Sequence, residues 1–402
     1  MKYNKWTLAL AGAGVIGLGT AAVQAEEQHA LMTALSQTTI SGYVDTSAIW
    51  APTSPNGVIW GRSFDGTPDK LDGFNLHAVK LRLEKPLDEG QWSAGYMADL
   101  VFGPDANYYQ TYVNGGAGTG GPVNQDDFAV KQAYVALRAP VGNGLDIRLG
   151  VFDTLIGYEV FESVNNPNFS RSYGYFIEPT HHTGVLLSYH INDWLSVSGG
   201  IANGWTGGIN DRIDDGSGFG EDRKAWLGSL TITLPEDTGA LAGSSVYAGI
   251  VYGDVANGLS GGGGLNNSET TSLYVGTTLT TGLEGLSVGA AFDYRDDGPN
   301  AVTANNYAWT AALYASFAAT EKLKLNGRLD YAKGTDGTWY TSGNNENSLG
   351  ALTVTADYSL WANVVTRAEV RWDHNLGGDD NYHGTDQDKD AVTLAANFVY
   401  KF

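Results

Sequence analysis

The chain has 402 residues, with 23 basic and 44 acidic side chains and a formal charge of −21. That balance excludes nucleic acid as a partner, whose phosphates would be repelled. The lack of cysteine excludes a disulfide framework and thiolate metal sites. Gly, Tyr and Trp are abundant (54, 22 and 11 residues), which suits a sheet that is apolar on one face and wet on the other.

In chain order, Lys2 and Lys5 precede an apolar run from Trp6 to Thr20, and Val23-Gln24-Ala25 follows as a small-residue cleavage site. Residues 1–25 are therefore expected to be a secretory signal peptide, with Glu26 starting the mature chain. Gly12, Gly14 and Gly17 match the dinucleotide-binding glycine spacing. That motif needs a preceding strand, a following helix and a later acidic residue, and none is present. No later stretch reaches 18 consecutive apolar residues, so no transmembrane helix is expected.

Strand-like alternation begins at Thr39. Runs follow over Thr39–Ala51, Phe74–Lys85, Gln91–Phe102, Phe128–Arg138, Leu145–Phe152, Thr183–Ile191, Trp194–Ala202 and Lys224–Leu234. The second half repeats the pattern over Ser245–Gly253, Thr270–Thr280, Leu286–Arg295, Tyr307–Phe317, Lys322–Ala332, Gly350–Ser359, Asn363–Asp373 and Ala391–Phe402. The thirteenth run shows the sorting plainly. Leu323, Leu325, Leu329 and Tyr331 oppose Lys322, Lys324, Asn326, Arg328 and Asp330. Short and long links alternate strictly, with short ones such as Asn192–Asp193 and long ones such as 153–182. A soluble sandwich would alternate too, but short turns on one side, long loops on the other and an even strand number point to an outer-membrane barrel. The expected fold is an all-β, transmembrane antiparallel barrel of about 16 strands over residues 26–402, in one domain, with 26–37 as a short periplasmic segment. Acidic residues gather in the long loops, as at Asp211, Asp214, Asp215, Asp379 and Asp380.

The closing strand places Val392, Leu394, Ala396, Phe398, Tyr400 and Phe402 on one face. It resembles the last strand of Gram-negative outer-membrane barrels, and the resemblance implies that Phe398, Tyr400 and Phe402 form a signal for the barrel-assembly machinery. Thr39-Ile-Ser-Gly-Tyr-Val-Asp-Thr-Ser-Ala-Ile-Trp50 is similar to the first strand of the putative β-barrel porin-2 (OmpL-like) family. So are Gly150-Val-Phe-Asp-Thr-Leu-Ile-Gly-Tyr-Glu159, Asn168-Phe-Ser-Arg-Ser-Tyr173, His182-Thr-Gly184 and Asn203-Gly-Trp205. The resemblance is densest from about Lys131 to Trp205. It implies a porin-like barrel of the outer membrane and brings no substrate.

If the apolar face of each strand meets lipid, the other face lines the pore. That face carries Lys80, Arg82, Glu84, Asp99, Arg138, Arg148, Asp293 and Arg295 in the first eleven runs. It continues with Lys324, Arg328, Asp330, Arg367, Glu369, Arg371 and Asp373. A Lys or Arg turned to lipid at mid-depth would cost about 2–4 kcal/mol, so the sorting is required whether or not these residues select solutes. The long link 153–182 holds the position of the third outer loop, which in trimeric general porins folds inward. Its Asp153, Glu159, Glu162, Arg171 and Glu178 would then face the wall arginines and set a transverse field. The bland alternative is a surface loop packed on its own Tyr158, Tyr173 and Tyr175.

No metal site is expected. His181, His182 and His190 are the candidate ligands, but His181 and His182 are adjacent on an extended segment and point to opposite faces, which argues against a shared site. Asp386, Asp388 and Asp390 lack the glycine and glutamate of a calcium loop. Ser188 and His190 have no third member for hydrolysis. The reading is a diffusion porin, not an enzyme, for ions and small hydrophilic solutes. Its expected partners are outer-membrane lipid, the assembly machinery and two further copies in a homotrimer. A non-conducting structural or adhesion barrel is the alternative. The acidic mouth and the basic wall oppose each other, and a weak to moderate cation preference that fades with salt is expected.

Overall fold

A computed structural model describes residues 37–53, 59, 62, 65, 70–88, 90, 92–109, 127–206, 209–210, 223–254, 269–298, 307–339, 346–377 and 389–402. The expected signal peptide and the acidic residues 211, 214, 215, 379, 380, 386 and 388 lie outside the described residues.

Sixteen strands form one closed antiparallel barrel. They are β1 (Thr39–Trp50), β2 (Gly73–Lys85), β3 (Ser93–Phe102), β4 (Phe128–Ala139), β5 (Leu145–Asp153), β6 (His181–Asn192), β7 (Leu195–Ala202) and β8 (Ala225–Thr233). The rest are β9 (Ser245–Asp254), β10 (Glu269–Thr280), β11 (Leu286–Asp296), β12 (Tyr307–Ala318), β13 (Leu323–Thr335), β14 (Glu346–Trp361), β15 (Val364–Asn375) and β16 (Asp390–Lys401). Every expected run is a strand. The largest difference is at β14, which starts four residues earlier than Gly350, because Asn347 and Leu349 continue the alternation inward and are buried.

Alternation follows from the solvent. Lipid cannot pair a free backbone N–H or C=O, so the sheet must close, and each strand turns apolar side chains outward. Leu313, Leu329, Leu352, Val354 and Val370 are exposed on that surface. Aromatic rings mark both rims. Trp50, Phe74, Trp226 and Trp372 lie towards the long loops, and Trp92, Trp194, Trp361 and Phe402 towards the short turns.

Closure is made where β1 meets β16, from Tyr43 opposite Lys401 to Trp50 opposite Leu394. Gly42 and Phe402 exchange both backbone hydrogen bonds, at 2.9 and 3.0 Å. The Phe402 ring occupies the space above Gly42. A Cβ there would fall 2.6 Å from the ring and 2.1 Å from the Lys80 carbonyl oxygen.

Among the described residues, four register shifts break the strict pairing; two lie beside short turns, at Ile191 and Leu360, and two are bulges that turn side chains into the barrel. On β2, Asp45 faces Ala78 and Thr46 faces Leu76, so His77 is the extra residue. On β4, Asp99 faces Gln132 and Leu100 faces Val130, so Lys131 is extra. A bulge re-aims the inserted side chain. His77 and Lys131 are both buried inside the barrel, where His77 Nε2 meets Ser47 Oγ at 2.6 Å.

The third outer loop, hereafter L3, runs from 154 to 180 between β5 and β6 and enters the lumen. It starts after Asp153 and ends before His181, because the strands extend to take in Asp153, His181 and His182. It contains a 3-10 turn (Ser163–Asn165) and one short α-helix, α1 (Tyr173–Ile177), capped by Ser172. Three apolar clusters hold it. Ile156 packs with Leu186, Leu227, Val251 and Tyr274 on one side. Phe169, Tyr173 and Ile177 pack with Ile59, Trp339, Leu349 and Ala391 on another. Phe161 and Tyr175 pack with Tyr43, Val101 and Tyr109 on the third.

Gly42→Val should obstruct closure, because a backbone carbonyl cannot move aside as a side chain can. The expected outcome is a smaller fraction of folded barrel in a heat-modifiability gel, at a cost on the order of 1–3 kcal/mol in those that fold. Unchanged yield and stability would contradict the closure geometry.

Candidate functional site: the L3-filled lumen

The strands deliver charge to the lumen, and L3 meets it there. On the β1–β4 side, Lys80 Nζ bonds Asp99 Oδ2 at 2.8 Å and also reaches Glu162 of L3. Arg82 forks onto both Asp99 oxygens at 2.7 Å each. Lys131, turned in by its bulge, binds Asp153 and lies 3.5 Å from Glu162. Ser163 Oγ donates to Asp45 Oδ2 at 2.6 Å. Burial disfavours the Glu162 carboxylate, but Lys131 and Lys80 outweigh it and hold the group down at about 2.

The β12–β15 side is denser. Glu159 Oε1 accepts from Arg328 Nη1 at 2.8 Å and from the Tyr314 hydroxyl at 3.2 Å, while its other oxygen accepts from the Ser172 amide. Arg328 Nε also donates back to Asp330 Oδ2, and the guanidinium donates to the carbonyls of Ser170 and Arg171. Glu369 accepts from the Phe169 and Ser170 amides at 2.6 and 3.0 Å. Arg367 donates to the Ser163 carbonyl at 2.8 Å. Arg371 binds Asp373 and the Arg171 carbonyl, and the Tyr173 hydroxyl donates to Asp373 at 2.7 Å. From the first outer loop, Arg62 pairs with Asp65, and Asp65 accepts from the Arg171 amide at 2.7 Å. Burial opposes the Asp65 charge, yet Arg62 and Arg371 keep its carboxyl at about 2.

The expected pore-lining residues therefore fall into two groups. Lys80, Asp99, Asp293, Arg328, Asp330, Arg367, Glu369, Arg371 and Asp373 point inward but are buried, at 5% exposure or less. The sequence reading places them on an open wall; the structure covers them, because L3 carboxylates, carbonyls and amides occupy the space in front. Arg82, Glu84, Arg138, Arg148, Arg295 and Lys324 remain partly or fully exposed. Arg138 is paired with Asp146 at 2.6 Å. Arg295 lies over the Trp205 ring at 4.6 Å and pairs with Asp297. Arg148 stands 5.3 Å over the Tyr134 ring. The loop residues Glu159, Glu162, Arg171 and Glu178 are all buried, so the packed-on-itself alternative fails: L3 packs on the wall.

Sequence reasoning missed Asp45, Arg62, Asp65, Lys70, Asp105 and Lys131. Arg62, Asp65, Lys70 and Asp105 lie in loops with no periodic signal, where Lys70 pairs with Asp105. Lys131 had a signal. Counting by twos from Arg138 turns it towards lipid, which a mid-strand lysine does not tolerate, so a bulge was required.

The strands β6 to β10 differ from the rest. Their only Asp, Glu, Lys or Arg residues are Asp254 and Glu269 at the outer ends. Their inward face is hydroxylated instead. Ser188 Oγ meets Ser198 Oγ at 2.9 Å and His190 Nδ1 meets Ser196 Oγ at 2.7 Å, so Ser188 and His190 do not form a catalytic pair. His181 and His182 bond Thr180 and Thr154, respectively, and among the described residues no group of three His, Asp or Glu side chains could hold a metal.

Three comparisons bear on this geometry. The family description "Putative beta-barrel porin-2, OmpL-like" matches residues 37–402. No curated protein matches the chain. Among solved structures, the fold is similar to the outer membrane channel DcaP of Acinetobacter baumannii, with a TM-score of 0.57 and 13% identity over 91% of this chain and 97% of that one. It is similar to Salmonella typhi OmpF in complex with daunomycin, at 0.57 and 15% over 91% and 97%. It is also similar to the trimer form of Vibrio cholerae OmpT, at 0.55 and 11% over 91% and 99%.

Removing Arg328 would leave Glu159 and Asp330 buried without their cation. Breaking a buried pair in this way costs about 3–5 kcal/mol. Arg328→Ala should therefore lower the urea midpoint of the folded barrel strongly. Arg328→Lys should recover only part of the loss, since a point cation cannot fork between Glu159, Asp330 and two carbonyls. Equal stability of all three proteins would contradict the role given to Arg328.

Proposed function

The chain belongs to the putative beta-barrel porin-2, OmpL-like family, and from that premise we propose which solutes its channel passes and how it assembles. It is an outer-membrane porin, a channel for solute diffusion rather than a catalyst. The proposed cargo is ions and small hydrophilic solutes, passing L3 as the constriction. The supporting observation is the pairing of Arg328, Arg367 and Arg371 with L3 and neighbouring carboxylates. A basic wall would attract anions; a wall whose arginines are spent on a docked loop does not. What remains is the acidic chain as a whole, which favours cations at low ionic strength and is screened within about 8 Å at physiological salt. Arg148 and Lys324 face the lumen from the periplasmic half and keep the preference weak.

A homotrimer is the proposed assembly, supported by the trimer form of OmpT, whose fold is similar. Phe398, Tyr400 and Phe402, exposed outward at about half of their surface, are the proposed contact for the assembly machinery. A structural barrel that conducts nothing is the competing reading, since L3 packs on the wall all round the lumen.

One bilayer experiment tests these points. Purified protein should conduct, with a reversal potential in a KCl gradient that reports cation preference and moves towards zero as salt rises. Each insertion should close in three equal steps at high voltage. Anion preference that persists at high salt would overturn the charge reading, single-step closure the trimer, and absence of conductance the porin reading itself.

A further inference from the structure

L3 is tied to the wall by ion pairs at Glu159 and Glu162 and by hydrogen bonds from Ser163 to Tyr173, but its C-terminal end is held differently. There, Glu178 meets Asp293 of β11 inside the barrel, and each carboxyl is within hydrogen-bond reach of the other. Both residues are buried. The pocket is tight. A Cβ on Gly157 would fall 2.3 Å from Glu178 Oε2, and one on Gly174 would fall 2.5 Å from Asp293 Oδ2. Thr310 Oγ1 is 3.4 Å from that Asp293 oxygen, and among the described residues no amide, hydroxyl or cation donates to the other.

Among the described residues, no positive charge faces the pair. From L3 itself comes Glu159, whose charge is spent on Arg328. Tyr274 of β10 faces the pair from the neighbouring strand. Arg295, two residues along β11, is turned onto Trp205 and Asp297. Two carboxylates in contact without a cation cannot both ionise. One proton must be shared between them.

We propose that the Glu178–Asp293 pair is a proton-held latch that keeps the C-terminal end of L3, from Gly174 to Thr180, against β11, and that its ionisation releases this end and widens the channel. The proposal rests on the reading of L3 as the constriction of a conducting barrel.

The direction of the pH response follows from linkage. Burial and the Asp293 charge raise the Glu178 carboxyl well above its ordinary 4.5 when L3 is docked. Docking is therefore at full strength below that ordinary value and weakens as pH rises towards the raised one. Within that window the ratio of docked to released loop falls about tenfold per pH unit. Acid does not reverse this, because Glu162 and Asp65 stay ionised down to about 2 and keep the other ties intact.

Two readouts test the latch. In single-channel records from about pH 5 to about pH 10, the ratio of wide-state to narrow-state dwell times should climb by up to tenfold per pH unit within the window. Glu178→Gln keeps a donor for Asp293 and cannot ionise, so its ratio should stay flat. The second readout needs no current. Ile177→Cys gives the chain a single thiol at a buried L3 position beside Glu178. At one alkaline pH a small maleimide should label it faster with Glu178 present than in the Glu178→Gln background, and equally fast in acid. A barrel that conducts with a pH-flat dwell ratio and equal labelling overturns the latch alone. One that labels as expected but never conducts supports the latch and overturns the porin reading.

Discussion

Hydrocarbon accepts neither a free backbone polar group nor a charged side chain, and the molecule is organised by that refusal. It forces the sheet to close, sets the alternation of every strand, and drives each mid-strand charge into the lumen. There the charges meet a second problem. A bare column of arginines beside low-dielectric walls would repel itself as well as attract anions. L3 answers both, since its carboxylates and carbonyls reach the wall cations and its apolar side chains fill the gaps between. An exposed ion pair is worth about 0–1 kcal/mol, but a buried one is costly to break, so loop and wall behave as one electrostatic unit.

That unit is lopsided. β1–β5 and β11–β15 carry the ionic network, and β6–β10 present serine, threonine and tyrosine with formal charge only at the outer rim. L3 thus lies between a flank of paired charges and a flank of hydroxyls. The ion-paired flank gives the loop its position. The one docking contact built from like charges is Glu178 with Asp293, where the wall offers an acid and no base.

Much of the barrel was legible in the sequence, because period-two alternation and the contrast of short turns with long loops are local signals. β13 shows this: Arg328 and Asp330 share the inward face with Lys324, as the pattern requires. The strand ends shifted only where inward packing extended them, as at β14. The site was legible by type and not by partner. Glu159 finds Arg328 across 169 residues and Phe169 finds Glu369 across 200, and no short-range pattern encodes such pairings. Bulges hid two more residues. His77 and Lys131 sit where counting by twos turns them to lipid, and one inserted residue returns each to the lumen. Burial of the wall charges was invisible for a further reason. Alternation gives the direction of a side chain but not what stands in front of it.

The central claim is that L3, held by the wall charges, sets the width of the channel. The most direct measurement is single-channel conductance of the barrel with residues 156–177 replaced by a short glycine-serine link, compared with the intact chain in the same salt. The shortened barrel should conduct several-fold more, approaching the open channel that about sixteen strands enclose. Equal conductance from a correctly folded shortened barrel would place the constriction elsewhere and contradict the account.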